Sequence, residues 1–342
     1  MITRRHFPIR LVLLFGVPVA ARASVWAVLV FAVYAYTELK FLRIPFLPIS
    51  TVGTAVAFYV GFKNNASYDR FWEARKIWGG VVNASRTWAT SVVSYILPGD
   101  DSEGATRLRR ELIYRHLAWI NALRLQLRRT SRFLDQPSRR TRRRLVRDAQ
   151  ALRNDWTTEI CPFLSATELE RVSATQNAAT QMLVRQGEQL RDLVKDRRLD
   201  LFHQIAMMDV VRELYDLQGK CERIKNTPFP RQYAEYSRIF TKVFVFLVPF
   251  GLLDVFGDQI DAGLTTLQVV APVAPMVFCC ALVTWVFSTM EAVGDATEDP
   301  FERGMADVPM NALCRVIEID LREMLGETDL PEKEQPQGAV LY

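Results

Sequence analysis

The chain has 342 residues, 49% hydrophobic and 24% charged, with a formal net charge of +5 and a mean hydropathy of +0.03. That length admits one large or two ordinary domains, and so modest a charge gives no ground for a nucleic-acid partner. Five cysteines without a CxxC pair, two of them adjacent in an apolar run, read as reduced buried thiols and argue against a zinc or disulfide framework.

Arg4, Arg5 and Arg10 precede LVLLFGVPVA in the manner of a signal peptide. No cleavage region follows, so the segment reads as retained. The apolar run Leu11–Ala20 is too short to span a bilayer and is stopped by Arg22, which predicts an interfacial or bundled lead-in over residues 8–21 and a first span over Ala23–Leu42. Pro45 and Pro48 break the chain before a second span from Ile49 to Asn65. Small residues in it, Ser50, Thr51, Gly53, Thr54, Ala55 and Ala57, suit close helix packing or a water-lined path. From Lys63 the same run turns polar without a linker and ends at Pro98–Asp101.

Residues 69–238 read as helical and soluble in composition. A helix is expected from Glu103 to Phe133, then an arginine-rich helix through Arg139, Arg140, Arg142, Arg143, Arg144 and Arg147. The arginine run reads as a solvated, cytoplasm-facing surface in preference to a nucleic-acid or anionic-lipid contact. Ser165 with Glu168 forms a capping box for a helix reaching Val194. Leu201, Ile205, Met208, Val211 and Tyr215 keep helical register until Gly219, and KNTPFP (225–230) is a proline-punctuated turn. A third span over Ser237–Phe256 carries Pro249, and the fourth lies within Leu264–Thr289. Basic residues concentrate at the N-terminus, in the 63–238 region and in the C-terminal segment, which places both termini in the cytoplasm. On that orientation the sequons at Asn65 and Asn83 face the cytoplasm and stay unglycosylated.

The expected fold class is therefore all-α: a polytopic membrane protein with four transmembrane helices per subunit and a large helical cytosolic domain. Its expected division is a lead-in and two spans (1–66), a cytosolic helical domain (67–236), two further spans (237–290) and a cytosolic C-terminal segment (291–342). No GxSxG, HExxH, GxxxxGK or GxGxxG occurs, and the three histidines are widely spaced. The chain reads as no enzyme and implies no cofactor or metal. The polar collar Asn64, Asn65, Ser67, Tyr68, Asp69 and Arg70 sits where amide, hydroxyl and charged groups persist by satisfying one another or by lining water. Both readings stay open.

GFKNNASYDRFWEARKIWGGVVNASRTW resembles the signature of the bestrophin family in its bacterial branch, as do NTPFPRQYAEY before the third span and EDPFERGMADVPMNALCR after the fourth. The resemblance implies a homopentameric ion channel in the bacterial inner membrane, surrounded by lipid and passing small inorganic ions passively, with chloride and other anions favoured. A cation-selective channel of the same fold and a non-conducting scaffold or sensor are the alternatives. The family's neck positions fall here on Leu47, Thr51 and Ala55, with Thr54, Phe58 and Phe62 as a neighbouring stripe; its cytosolic aperture falls on Val211 with Val210 beside it. The acidic stretch that binds calcium in animal relatives is reduced to Asp295, Glu298, Asp299 and Glu302 and is interrupted by a proline, so no tight calcium site is expected.

Overall fold

A computed structural model describes residues 1, 3, 9–37, 39–129, 153–261, 266–302, 304, 306–337 and 340–342. The described residues are almost entirely helical, with one isolated β-bridge between Gln337 and Val340. The arginine-rich 139–147 run lies outside them. The chain divides into two compact units. A membrane unit comprises Arg4–Asp69 and Phe229–Glu298, and a helical unit comprises Met1–Thr3, Arg70–Pro228 and Asp299–Tyr342.

Among the described residues, four helices are long and apolar enough to cross a membrane, over Val12–Tyr36, Lys40–Tyr95, Arg231–Gly257 and Val273–Thr297. The first belongs to α1 (Ile9–Tyr36), which is one unbroken helix containing Pro18. The expected lead-in and first span are thus a single element. Arg22 does not interrupt it, because its Nε reaches back one turn to the Pro18 carbonyl at 3.0 Å. The helix ends at Tyr36, short of Leu42, and Lys40–Leu42 forms a 3₁₀ turn.

The second helix, α2, runs over fifty residues, Phe46–Tyr95; its residues to Asp69 belong to the membrane unit and the rest to the helical unit. It starts before Pro48, which falls in the first turn, where a missing N–H leaves no helical bond unmade. The helix then continues unbroken to Tyr95, and Leu97 and Gly99 follow it with positive φ. The membrane unit is completed by α8 (Arg231–Asp261), with Pro249 inside it, and α9 (Thr266–Thr297). The last helix continues past Glu291, where polar sequence returns.

In the helical unit, α3 (Glu103–Leu127) is capped by Ser102, whose side chain accepts from the Ala105 amide. A short α4 (Trp156–Ile160) leads to α5 (Ala166–Ser173). Ser165 does cap α5, accepting from the Glu168 amide at 3.3 Å. The helix expected to run on to Val194 is nevertheless two: α5 stops at Ser173, and α6 (Ala178–Lys195) starts afresh behind Asn177, whose side chain accepts from the Thr180 amide at 3.0 Å. An asparagine that bonds its own following turn competes with helix continuation.

Similarly, Gly219 does not end α7 (Leu201–Asn226); the helix stops before Thr227 and Pro228, where proline disfavours a helical predecessor. The unit is closed by α10 (Met310–Met324). Its core is built on Trp78, Trp88 and Trp119, all fully buried, each removing on the order of 200 Å² of ring from water. All five cysteines are free thiols. Burial pushes the Cys221 thiol up to about 12 and the Cys314 thiol up to about 11.

Candidate ion-pathway surface and its anchors

Within the membrane unit, α2 buries Ile49, Gly53, Val56, Val60, Lys63 and Ser67. This alternation of four and three residues traces one stripe on a helix of 3.6 residues per turn. Gly53 is required there: a Cβ would come 2.5 Å from the Phe244 ring of α8. The opposite face is left open, with Leu47 76%, Phe58 67% and Phe62 68% exposed and Thr51, Thr54 and Ala55 exposed beside them. The rows 47–51–55 and 54–58–62 point about 20° apart at 100° per residue. They are two edges of one face. Thr51 and Thr54 donate their hydroxyls to the Leu47 and Ser50 carbonyls at 2.9 and 3.0 Å, so each is satisfied one turn back along its own helix.

This face is held by anchors at both ends. At the start of α2, the Phe46 amide donates to Asp254 Oδ2 at 3.1 Å, while Arg43 Nε donates to Oδ1 at 3.2 Å. A carboxylate beside exposed helix N–H groups also complements the helix dipole. At the far end Lys63 is fully buried. Its ammonium meets Glu291 Oε1 at 2.7 Å and also Asp295, both from α9. Ser237 of α8 donates to the other Glu291 oxygen at 2.5 Å, and Arg238 stands 3.7 Å from Asp295. Asn64 donates to the Met290 carbonyl at 2.9 Å. Glu291 and Asp295, four apart, face one lysine from one side of α9; that pairing explains why the helix extends beyond its apolar run.

The predicted collar separates into different roles. Asn64 and Ser67 turn inward, and Asn64 Oδ1 and Ser67 Oγ are buried without a hydrogen-bond partner among the described residues. Asn65, Tyr68 and Asp69 are exposed. Arg70, in the helical unit, donates to the Ile224 and Thr227 carbonyls at the end of α7.

Val210 and Val211 do not have the exposure an aperture needs. They are 8% and 1% exposed and pack into the core of the helical unit with Met207 and Leu214. The large apolar side chains that α7 leaves open are Leu201, Phe202 (79% exposed) and Ile205 at its start, with Met208 less exposed beyond them. Three of the four acids of the acidic stretch face cations. Asp295 faces Lys63 and Arg238; within the helical unit Asp299 lies 4.0 Å from Arg70, and Glu302 pairs with Lys225. Lys63 and Glu291 were missed as a site by sequence reasoning. The available signal was a lone lysine ending one uncharged run and two acids, four apart, ending another.

The fold and this surface define a multi-pass, all-helical membrane protein. The model of the bacterial/fungal bestrophin protein family matches residues 16–323, and the chain belongs to that family. It is 29% identical to the voltage-dependent anion channel-forming protein YneE of Escherichia coli K12, covering 89% of this chain and 83% of that one. It is equally 29% identical to the similarly named RSc3414 of Ralstonia nicotianae, over 86% of this chain and 82% of that one. Its fold matches the crystal structure of a bacterial bestrophin homolog from Klebsiella pneumoniae with a TM-score of 0.73 at 24% identity, covering 91% and 98% of the two chains.

Proposed function

We propose that this chain is the pore-forming subunit of a passive anion channel in the bacterial inner membrane. Both termini would be cytoplasmic, with residues 67–236 and 291–342 forming the cytosolic part. The carrying observation is the outward face of α2: a row of small, hydroxyl and aromatic side chains that contributes little to packing within the subunit yet is pinned at both ends. Relatives named as anion channel-forming proteins support the same reading. A channel needs no turnover chemistry; it needs a constriction and a wetted path.

Phe58 and Phe62, with Thr54 one turn earlier, form the neck in this reading, because they are the bulkiest exposed side chains in the rows 47–51–55 and 54–58–62. Leu201, Phe202 and Ile205 take the place of Val210 and Val211 at the lower aperture. The assembly is a homopentamer, as the family resemblance implies. A groove of about 840 Å³ running along α2, lined by Ser50, Ala57, Gly61 and Phe244 among others, supports self-association, since small residues let a neighbouring helix approach closely.

The test is reconstitution in liposomes under a tenfold KCl gradient. The reversal potential is expected near the chloride equilibrium value, and Phe58→Ala is expected to raise unit conductance severalfold. Reversal at the potassium value would replace the anion reading by a cation channel. No flux from a verified oligomer would remove the channel reading altogether.

A further inference from the structure

The described basic side chains of the membrane unit fall into two groups. Arg43, Lys63 and Arg238 each face a carboxylate, Lys40 lies 5.0 Å from the centre of the Tyr34 ring, and Arg231 is likewise engaged. Arg22 and Lys242 stand apart. Both are exposed and both lie within candidate membrane spans, and neither has a carboxylate partner among the described residues. Among the described residues Arg22 bonds to the Pro18 carbonyl alone. A cation inside a span is costly unless something neutralises it or it reaches the headgroups.

The two lie at one depth. Trp26 of α1 donates its indole N–H to the Phe246 carbonyl of α8 at 3.1 Å, and the two rings stack at 5.0 Å. Further along, the Ile44 amide donates to the Phe250 carbonyl and Arg43 reaches Asp254, so α1 and α8 run in the same direction. Arg22 precedes Trp26 by four residues, and Lys242 precedes Phe246 by four. Each cation therefore sits about 6 Å toward its helix start from the same contact. Arg22 points further that way, toward Pro18. Around them Val25, Ile239, Val243 and Phe246 are exposed, a surface suited to acyl chains and not to a free aqueous anion.

We infer that Arg22 and Lys242, with Trp26 between their helices, form a binding site for the phosphate of an anionic phospholipid in the leaflet where α1 and α8 begin. The lipid phosphate supplies the counter-charge that the protein omits, and the indole lies at the headgroup boundary that tryptophan favours. The inference requires α1 and α8 to be in a membrane but does not depend on conduction or ion sign.

Native mass spectrometry of the purified oligomer with equimolar phosphatidylglycerol and phosphatidylcholine tests it. The wild type is expected to retain phosphatidylglycerol preferentially, and the Arg22→Gln, Lys242→Gln double variant to lose that preference, by on the order of fivefold per basic residue. The conservative Arg22→Lys, Lys242→Arg pair should keep most of it. Added phosphatidylglycerol should raise the thermal midpoint of the wild type and leave the folded double variant unmoved. Equal retention of the two lipids by the wild type, or an undiminished preference in the double variant, would overturn the inference. Competition by millimolar inorganic phosphate would overturn it in favour of a free-anion site. Dissociation of the double variant in lipid-free detergent would instead show that a neighbouring subunit supplies the counter-charge.

Discussion

Lys63 in the membrane unit and Arg124 in the helical unit are both cations withdrawn from water, and they are held in different ways. Arg124 spreads its guanidinium over Glu159 at 2.7 Å, the Arg153 carbonyl at 2.8 Å, Asn121 at 3.0 Å and Asn311. Glu159 is in turn shared with Arg153 at 2.8 Å. Lys63 has a point charge and two carboxylates. The planar fork joins many partners, whereas the ammonium serves as a single pin. Removing one strand of the first arrangement leaves others in place. Removing the pin leaves Glu291 with only the Ser237 hydroxyl and Asp295 with Arg238 at 3.7 Å among the described residues.

The comparison can be broken most directly by replacing each cation. Lys63→Met is expected to cost about 3–5 kcal/mol, the range for orphaning a buried pair, seen as a lower thermal midpoint and loss of assembled protein. Adding Glu291→Gln and Asp295→Asn should recover much of it. Arg124→Met is expected to cost less, about 2–3 kcal/mol, because Glu159 keeps Arg153. Equal losses in the two variants would show that the surrounding pairing makes no difference.

Asp307 sharpens the contrast as a buried charge with little support. Its carboxylate accepts from the Gly304 amide at 2.7 Å, and burial pushes its pKa from 3.8 to about 7. Between those values the unfolded chain has released a proton that the folded chain keeps. Stability therefore falls as pH rises through that window and levels off above it, by at most about 1.4 kcal/mol per pH unit. The excess stability of the wild type over Asp307→Asn should therefore fall as pH rises over pH 4–7, read as the difference between the two thermal profiles. Buried His116 is pushed down to about 3 and tilts the profile the other way, but it is common to both proteins and drops out of the difference. The smallest effect is expected outside any network. Gly219 lies inside α7, and a Cβ added there would meet no atom within 4 Å, so Gly219→Ala should stabilise by about 0.5–1 kcal/mol in the same thermal assay.

The long apolar runs were legible from sequence because each must satisfy its backbone internally and face apolar surroundings. The passage of α2 from Phe62 into Lys63 without a break was legible for a related reason: nothing there stops a helix. What sequence could not supply were partners distant along the chain. Lys63 meets Glu291 across 228 residues, and periodicity within one helix carries no information about the element opposite. Arg22 looked like an interruption because a charge ends an apolar window, although a side chain that reaches back one turn need not end the helix. The family resemblance places the aperture at Val211 with Val210 beside it, but the face of α7 is set by its packing through Met207, Leu214 and Leu217. Asn177 was read as ordinary helix sequence, and only its bond to Thr180 reveals the new start.

The capping of α2 by Asp254 also bears on how such a protein can change over generations. With the helix pinned by Asp254 at one end and Lys63 at the other, residues 51, 54, 55, 58 and 62 carry little of the subunit's internal packing. Point substitutions there leave the backbone's supports untouched, so lineages can vary the chemistry of this face while inheriting the same scaffold.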